Sequence, residues 1–458
     1  MRIVDVTWLA VLACFVSVAG YGGEAASSDT EAVRPRNVVF VLADDLGWND
    51  VGYHNAEMRT PQLDRLAGDS VVLECHYVQP QCTPTRVATM TGRYPSRFGA
   101  HCLTASNERA LPPGTLTMAD VFGAKGYRTA LCGKWHLGSR LEWGPNHYGF
   151  DHSYGSLAGA VGMYDHRYRL DSPFARTWHR DLEFVDEAGH ATDLVTREAV
   201  RWIHDHADEP FFLYVPFHAV HTPLVEEQKY LDANAHIENG DRQLYAAAVT
   251  HMDDCVGRIL AALDATGLRD ETLIVFSSDN GAQVNHSGGV YPAPDPALKN
   301  FSSNAPLRGK KTEVYEGGMR VPALVHWHGV LAPGKVAAPL HIVDWVPTLA
   351  ALIGFEAEAD PHWDGRNIWP LVAGEVTQPP SREIYSIWGR DRQREAIRVG
   401  PWKILRQRAD NADEPPPWQL YNLTDDPYEE RDLADAQPER VAELAARFAA
   451  QRAKDAEP

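Results

Sequence analysis

Cysteine is scarce: six among 458 residues, one of them (Cys14) inside the first apolar segment. The five that follow, Cys75, Cys82, Cys102, Cys132 and Cys255, are odd in number and too few to staple a chain of this size. At least one is therefore unpaired or chemically special. Positive charge is also short, 43 Lys and Arg against 62 Asp and Glu, a formal net charge of -19. That balance argues against nucleic acid as a partner and against any general polyanion-binding surface. An anionic substrate would need positive charge concentrated in a pocket. Beyond residue 30 no apolar run is long enough to span a bilayer, so no stable membrane association is expected. There is no internal repeat, and the only biased segment, "RADNADEPPP", reads as a solvated hairpin connection.

What is present begins with a leader. "MRIVDVTWLAVLACFVSVAGYGGEAASSDT" has one early arginine, an apolar segment from Val6 to Ala19 and then small residues. This is a secretory signal pattern over residues 1–25, with cleavage expected between Gly20 and Ala26 and a secreted or periplasmic product. A lipoprotein signal on Cys14 is the weaker reading, because the apolar run continues past it and Val11, Leu12 and Ala13 make a poor lipobox. The remaining chain can bury one large core and a smaller one, and we expect a larger domain over residues 35–372 and a C-terminal one over 373–458.

Apolar runs of strand length end abruptly in polar residues: "NVVFVLADD", "YRTALCGKWHLG", "PFFLYVPFHAVHTP" and "TLIVFSSDNG". Between them lie helical patterns. Thr60 is placed as a cap with Pro61 at the first helical position, and Leu244, Ala248, Met252, Cys255, Ile259 and Leu263 form a stripe that ends at Gly267. This alternation predicts an α/β fold with a mostly parallel sheet covered by helices on both faces. Beyond "VDWVPTLAALIG" the texture changes to "REIYSIW", "AIRVGPWKILR" and "WQLYNL", which predicts a small antiparallel sheet closed by the helix "PERVAELAARFAAQ".

The polar residues fall at the carboxyl ends of buried strands, the edge where open α/β sheets bind ligands. Asp44 and Asp45 end the first run, Asp279 and Asn280 the fourth. Such residues cap helices often enough that either pair alone is ambiguous; the two together are a hard, all-oxygen donor set suited to Ca²⁺ or Mg²⁺. Lys134 and His136 are separated by one residue, which puts both on one side of an extended segment. A surface lysine and a packed histidine are the plainer account of them. His218 and His221 lie in "FHAVHTPL", and Arg308, Lys310, Lys311 and Arg320 in the Gly-rich "PLRGKKTEVYEGGMRVP", whose default is a solvated basic patch.

"CTPTR" followed by "TGRYPSR" resembles the C-x-P-x-R and T-G-R signature of sulfatases, and "GYRTALCGKWHLG" resembles that family's second signature. "VLADDLGWNDVG", "HTPL", "SSDNGA" and "PLRGKKTEVYEGGMRVP" match in the family's order, and the similarity runs from about Asn37 to "LYNLTDDPYEERDLA". Among sulfatases the chain resembles the secreted arylsulfatase and N-acetylgalactosamine-4-sulfatase type. The resemblance implies an alkaline-phosphatase-like α/β sandwich with a small C-terminal α+β domain. It also implies hydrolysis of a sulfate ester of a sulfated sugar or oligosaccharide, or of an aryl sulfate, and oxidation of Cys82 to formylglycine by a separate formylglycine-generating enzyme. A hydrated aldehyde offers two hydroxyls, one to attack sulfur and one from which sulfate is later expelled.

By the same resemblance one Ca²⁺ is held by Asp44, Asp45, Asp279, Asn280 and residue 82. Arg86 lies beside the modified residue, Lys134 and Lys311 contact sulfate oxygens, His221 protonates the leaving alcohol and His136 takes the proton from the second hydroxyl. Lys311 rather than Lys310 matches the family's lysine by its spacing from Arg308. His221 rather than His218 matches the histidine; His218 faces substrate or packs. Substrate choice is expected from variable loops: "SYGSLAGAVGMYDHRYRL", "SGGVYPAPDPALKNFSS", and Trp388 with Arg390. Two other readings stay open, a phosphoester or phosphonate hydrolase of the same superfamily and an inactive carbohydrate-binding homologue.

Overall fold

The computed structural model describes residues 34–377, 379–409 and 414–456. The leader over residues 1–25 lies outside them, as do residues 410–413 of the expected hairpin connection. Among the described residues, no helix is long and apolar enough to cross a membrane, and all five cysteines are free thiols.

The strand-length apolar runs assemble side by side. β1 (Asn37–Ala43), β2 (Arg128–Lys134), β3 (His152–Ser156), β4 (Phe211–Pro216) and β5 (Thr272–Ser278) lie in the order β5-β1-β4-β2-β3 at the centre of a ten-stranded sheet. All of these neighbours pair in parallel. Antiparallel strands flank them, Leu324–His326 beside β5 and Trp178–Arg180 beside β3. Every residue of β1 is buried; after Asn37 the strand is apolar throughout, and its side chains divide strictly by parity. Val38, Phe40 and Leu42 enter one core, while Val39, Val41 and Ala43 enter the other.

α1 (Pro61–Gly68) and the helices over Ala191–Asp205 and Gly240–Ala265 cover the second face. The predicted stripe of the last is realised from Ala248 on, with Ala248, Met252, Cys255, Ile259 and Leu263 buried and Leu244 half-buried at its start. Thr60 does occupy the cap position of α1, but its side chain is used elsewhere: it accepts from Gly52 N–H at 2.7 Å and donates to Asp64 at 2.8 Å. The free N–H groups of Gln62 and Leu63 donate instead to the carboxylate of Asp253, at 3.0 and 2.8 Å. A distant helix therefore supplies the cap that the local sequence promised.

α2 (Cys82–Thr91) lies on the other face and is buried along its whole length. The expected antiparallel sheet forms from Glu383–Trp388, Arg394–Val399, Trp402–Gln407 and Gln419–Asn422. Tyr385, Ile387, Ile397, Ile404 and Leu420 join the first core with Leu444 and Phe448 of the closing helix Pro438–Arg452. Ile384, Ala396, Leu405 and Tyr421, on the opposite side, pack on Tyr77, Val314 and Met319.

A buried histidine in this first layer makes folding sensitive to acid. His76 Nε2 accepts the indole N–H of Trp345 at 3.1 Å, so its single proton sits on Nδ1, facing Ser277 Oγ at 3.2 Å. Burial, and then the Arg382 charge, push its pKa down to about 3. Between the ordinary value of 6.5 and about 3 the unfolded chain takes a proton that the folded one refuses, so stability falls as pH falls through that window. His76→Gln should remove about one proton from that dependence, roughly 1.4 kcal/mol per pH unit, in urea midpoints compared at about pH 6 and pH 4. An unchanged slope would mean that His76 takes its proton in the folded state.

Candidate active site

Parallel strands bring their carboxyl ends to one edge, and all the chemistry-bearing residues collect there. Ala43 pairs with Ser278, so Asp44 and Asp45 leave the sheet beside Asp279 and Asn280. Asp279 N–H donates to the Ala43 carbonyl at 3.0 Å and Asp45 N–H to Asp279 Oδ1 at 3.2 Å. Asp45 turns left-handed (φ 64°), which swings its carboxylate across the gap between β1 and β5. Asn280 donates its amide N–H to Asp45 Oδ1 at 2.7 Å, which leaves its own Oδ1 buried without a hydrogen-bond partner. Asp44 Oδ1 is buried and partnerless in the same way. Buried oxygens are seldom left so, and two of them in a cluster of three carboxylates and one amide fit a hard divalent cation better than any protein donor.

Cys82 is the first residue of α2, after an extended Gln81. One turn along, Arg86 donates from Nε and Nη2 to Asp279 Oδ2 at 3.1 and 2.8 Å and from Nη1 to the Lys134 carbonyl at 2.7 Å. Its fork thereby ties α2 to the ends of β5 and β2. Lys134 Nζ donates to Asp44 Oδ2 at 2.5 Å, and Lys311 Nζ to Asp45 Oδ2 at 2.8 Å. His221 Nε2 stands 3.7 Å from Asp45 Oδ2, while its Nδ1–H donates to the Thr222 carbonyl at 2.5 Å.

Lys134 and His136 do not share one side of an extended segment. His136 is left-handed (φ 57°), so the chain turns sharply after the strand. Lys134 points at Asp44 in the interior, and His136 lines the cavity with Cys82. His218 is not in the lining: its Nε2 faces Ser156 Oγ at 2.7 Å and its ring lies against Trp178. Lys310 reaches the cavity wall beside Lys311.

The cavity holds about 450 Å³, and Cys82, His136, His221 and Lys311 lie in its wall with Tyr168 and Tyr291. The last two come from the loops expected to face substrate. Trp388 contributes indirectly, donating its indole N–H to Gln81 Oε1 at 2.7 Å, and Arg390 is exposed outside the lining. Sequence reasoning missed Gln81, Asn107 and Gln283. Gln283 accepts from Lys311 at 3.4 Å, and Asn107 accepts from both Ser139 Oγ and Gly159 N–H, which props the loop over His136. Gln283 lies three residues after Asn280 and could have been found by proximity; Asn107, in "ASNERA", carried no signal.

Electrostatics follow from burial. Asp44 is pushed up to about 8, first by desolvation and then by Asp279, against the pull of Lys134 and Arg86. Desolvation acts on Asp45 too, but Lys311 and His221 outweigh it and bring that carboxyl down to about 2. Desolvation raises the Cys82 thiol despite both lysines. The encoded residue is thus a poor thiolate. His136 and His221 are held well below the usual imidazole range by burial and then by lysine charge.

The chain matches the family model for sulfatases over residues 36–355. It is 33% identical to mouse arylsulfatase J over 93% of this chain and 77% of that protein. The chain belongs to the sulfatase family. The same identity, 33%, relates this sulfatase to mouse N-acetylgalactosamine-6-sulfatase over 76% of the chain and 68% of the relative. Its structure is similar to the crystal structure of Ps i-CgsB in complex with k-i-k-neocarrahexaose, with a TM-score of 0.82 and 30% identity over 93% and 94% of the two chains. The phosphonate monoester hydrolase of Agrobacterium radiobacter, at a TM-score of 0.62 and 17% identity over 92% and 96%, shares the fold alone. The sulfatase is a sulfuric ester hydrolase with the alkaline-phosphatase-like architecture.

Backbone proximity makes one position diagnostic. A Cβ at Gly159 would lie 2.2 Å from His136 Nε2. Gly159→Ala should therefore displace the imidazole and lower kcat on an aryl sulfate by about 10²-fold with little change in thermal midpoint. An unaltered kcat would show that His136 does not need its present position.

Proposed function

We propose that this sulfatase removes sulfate from a sulfated carbohydrate with a formylglycine made from Cys82 and one Ca²⁺. The observation that carries the reading is the pair of buried, partnerless oxygens, Asp44 Oδ1 and Asn280 Oδ1, in an all-oxygen donor set next to a cysteine whose thiol burial keeps protonated. Asp44, Asp45, Asp279 and Asn280 would hold the ion, with residue 82 completing the set. Bound there, Ca²⁺ supplies charge that orients the sulfate and favours ionisation of a neighbouring hydroxyl. Formylglycine at residue 82 supplies, as its hydrate, the hydroxyl that attacks sulfur.

The remaining roles belong to this chain's side chains. Arg86, fixed on Asp279 and the Lys134 carbonyl, holds the first turn of α2 and so the position of residue 82. Lys311, in the cavity wall, offsets charge on the sulfate oxygens as the S–O bond breaks, and Lys134, buried on Asp44 outside the lining, adds its positive field from behind. His221 gives its Nε2 proton to the leaving alcohol. Its Nδ1–H bond to the Thr222 carbonyl aims Nε2 at the site. Burial, and then lysine charge, keep His221 neutral in the free site, and an anionic group seated in the cavity offsets the lysine charge and so favours the imidazolium. His136, with Nδ1 unpartnered, accepts the proton from the second hydroxyl.

A sugar suits the cavity mouth, where Tyr168 and Tyr291 stand with ring centroids 6.1 Å apart and the Arg169 guanidinium lies 5.1 Å from the Tyr168 centroid. The names of relatives, N-acetylgalactosamine-6-sulfatase and a carrageenan-oligosaccharide complex among them, support that substrate class. The maturation partner would be a formylglycine-generating enzyme reading "CTPTR", and the product would be secreted or periplasmic.

Mass analysis of the tryptic peptide Leu66–Arg86 from active enzyme should find CHO in place of CH2SH at residue 82. A fully active enzyme with an intact thiol would overturn the reading. Cys82→Ala should abolish hydrolysis while the fold persists by circular dichroism. Dialysis against a calcium chelator should abolish activity and added Ca²⁺ restore it; activity that survives complete removal of the ion would eliminate the metal from the proposal.

A further inference from the structure

The helical layer on the second face of the sheet carries a cluster that the sulfatase reaction does not use. His190 caps the helix Ala191–Asp205, Asp193 lies in its first turn, and His251 comes from the middle of the helix Gly240–Ala265. One ligand atom from each of the three lies within 4.8 Å of the others. None of the three lines the catalytic cavity.

Three features of His251 bear on its use. The side chain is fully buried, and its Nδ1 bonds Glu226 Oε2 at 2.7 Å. Its Nε2 makes no close hydrogen bond but stands 3.4 Å from Asp193 Oδ2. Against the opposing effect of burial, Asp193 and Glu226 raise the ring's pKa to about 12, so a cation entering there displaces the Nε2 proton. An ion at about 2.0–2.2 Å from each ligand in tetrahedral geometry sets its ligands about 3.4 Å apart, so this separation suits two atoms that share a cation. Glu226 plays the part of an outer carboxylate: by accepting a hydrogen bond from Nδ1–H it keeps that proton in place, so the proton a cation displaces is the one on Nε2. Its other oxygen stands 3.9 Å from His190 Nε2.

We infer that His190, Asp193 and His251 form a second metal site, separate from the catalytic centre, for Zn²⁺ or a similar first-row divalent cation. Two imidazoles and one carboxylate are the donor set of such ions, whereas the oxygen-only set at the strand ends suits Ca²⁺. To bind through Nε2, His190 gives up its 2.9 Å bond to the Val225 carbonyl and moves its proton to Nδ1, which also releases the Thr192 N–H that Nδ1 accepts at 3.3 Å. Asp193 keeps its other oxygen on Arg258 at 2.6 Å, and its side chain, 32% exposed, is the route by which an ion enters. Joining the start of one helix to the middle of another, the ion acts as a clamp on this layer.

Zinc binding by the intact enzyme, measured by equilibrium dialysis and elemental analysis in excess Ca²⁺, tests the site. Wild type should retain one Zn²⁺ per chain and gain thermal midpoint with it. Asp193→Asn and His251→Gln should each lose that zinc, and Glu226→Gln should weaken it by about 10–100-fold. Crystals soaked in zinc should show an anomalous peak between His251 Nε2 and Asp193 Oδ2. Two results overturn the inference: wild type retaining no zinc, or zinc retained equally by wild type and by folded Asp193→Asn. Destabilisation by Asp193→Asn to the same extent with and without zinc would identify the cluster as an ion pair, an imidazolium bridging two carboxylates, and would also refute the metal site.

Discussion

Three carboxylates crowded at the ends of two adjacent parallel strands are the constraint around which this sulfatase is arranged. Asp44, Asp45 and Asp279 are all essentially excluded from water, and without compensation such a group would protonate or unfold the chain. Compensation comes from Arg86, Lys134 and Lys311, each bonded to a different one of the three. Each cation arrives from a separate part of the sequence: a buried helix, the strand β2 that lies beyond β4 from β1, and a Gly-rich loop. Bringing those parts together is what the first core and the register of the central strands achieve. The fold and the site are therefore one electrostatic problem, and the cations that make burial tolerable are the ones the proposed chemistry uses.

That arrangement explains which parts were legible in the sequence. A strand that is buried on both faces must be apolar along its length, so "NVVFVLADD" and "TLIVFSSDNG" announce both the strand and the point where its polar cargo begins. Parallel pairing does the rest, since it brings all such points to one edge without any detail of side-chain packing. The Cys82 signature and the lysine loop were legible through resemblance, because their residue types recur at fixed spacing. The antiparallel C-terminal sheet was legible from its short Trp-containing runs and the absence of a long helix between them.

What was not legible depended on partners distant in sequence or on backbone geometry. The sequence pattern placed Thr60 at a cap, but Asp253, almost two hundred residues away, satisfies the helix N-terminus. An extended "KWH" segment was the natural expectation, and the left-handed turn at His136 is imposed by the site rather than by local preference. Trp388 was expected at the substrate and instead braces Gln81, the residue before Cys82. The His190–Asp193–His251 cluster has no spacing motif at all, because it is made by two helices that meet only in the folded chain.

Charge completes the account. The protein is strongly acidic overall, so a sulfated polymer approaching from a distance meets repulsion that salt must screen. Close to the cavity the balance changes, since three buried cations face three carboxylates of which Asp44 is pushed up to about 8, leaving only a small positive surplus at neutral pH. On the proposed reading a divalent cation at the strand ends enlarges that surplus, and Lys310 at the wall adds to it. Sulfate then gains most from binding in the metal-loaded site, in a cleft lined also by Tyr168 and Tyr291. The acidic exterior and the cationic interior thus divide the work: the surface discourages indiscriminate binding of polyanions, and the cavity rewards the single sulfate group that reaches residue 82.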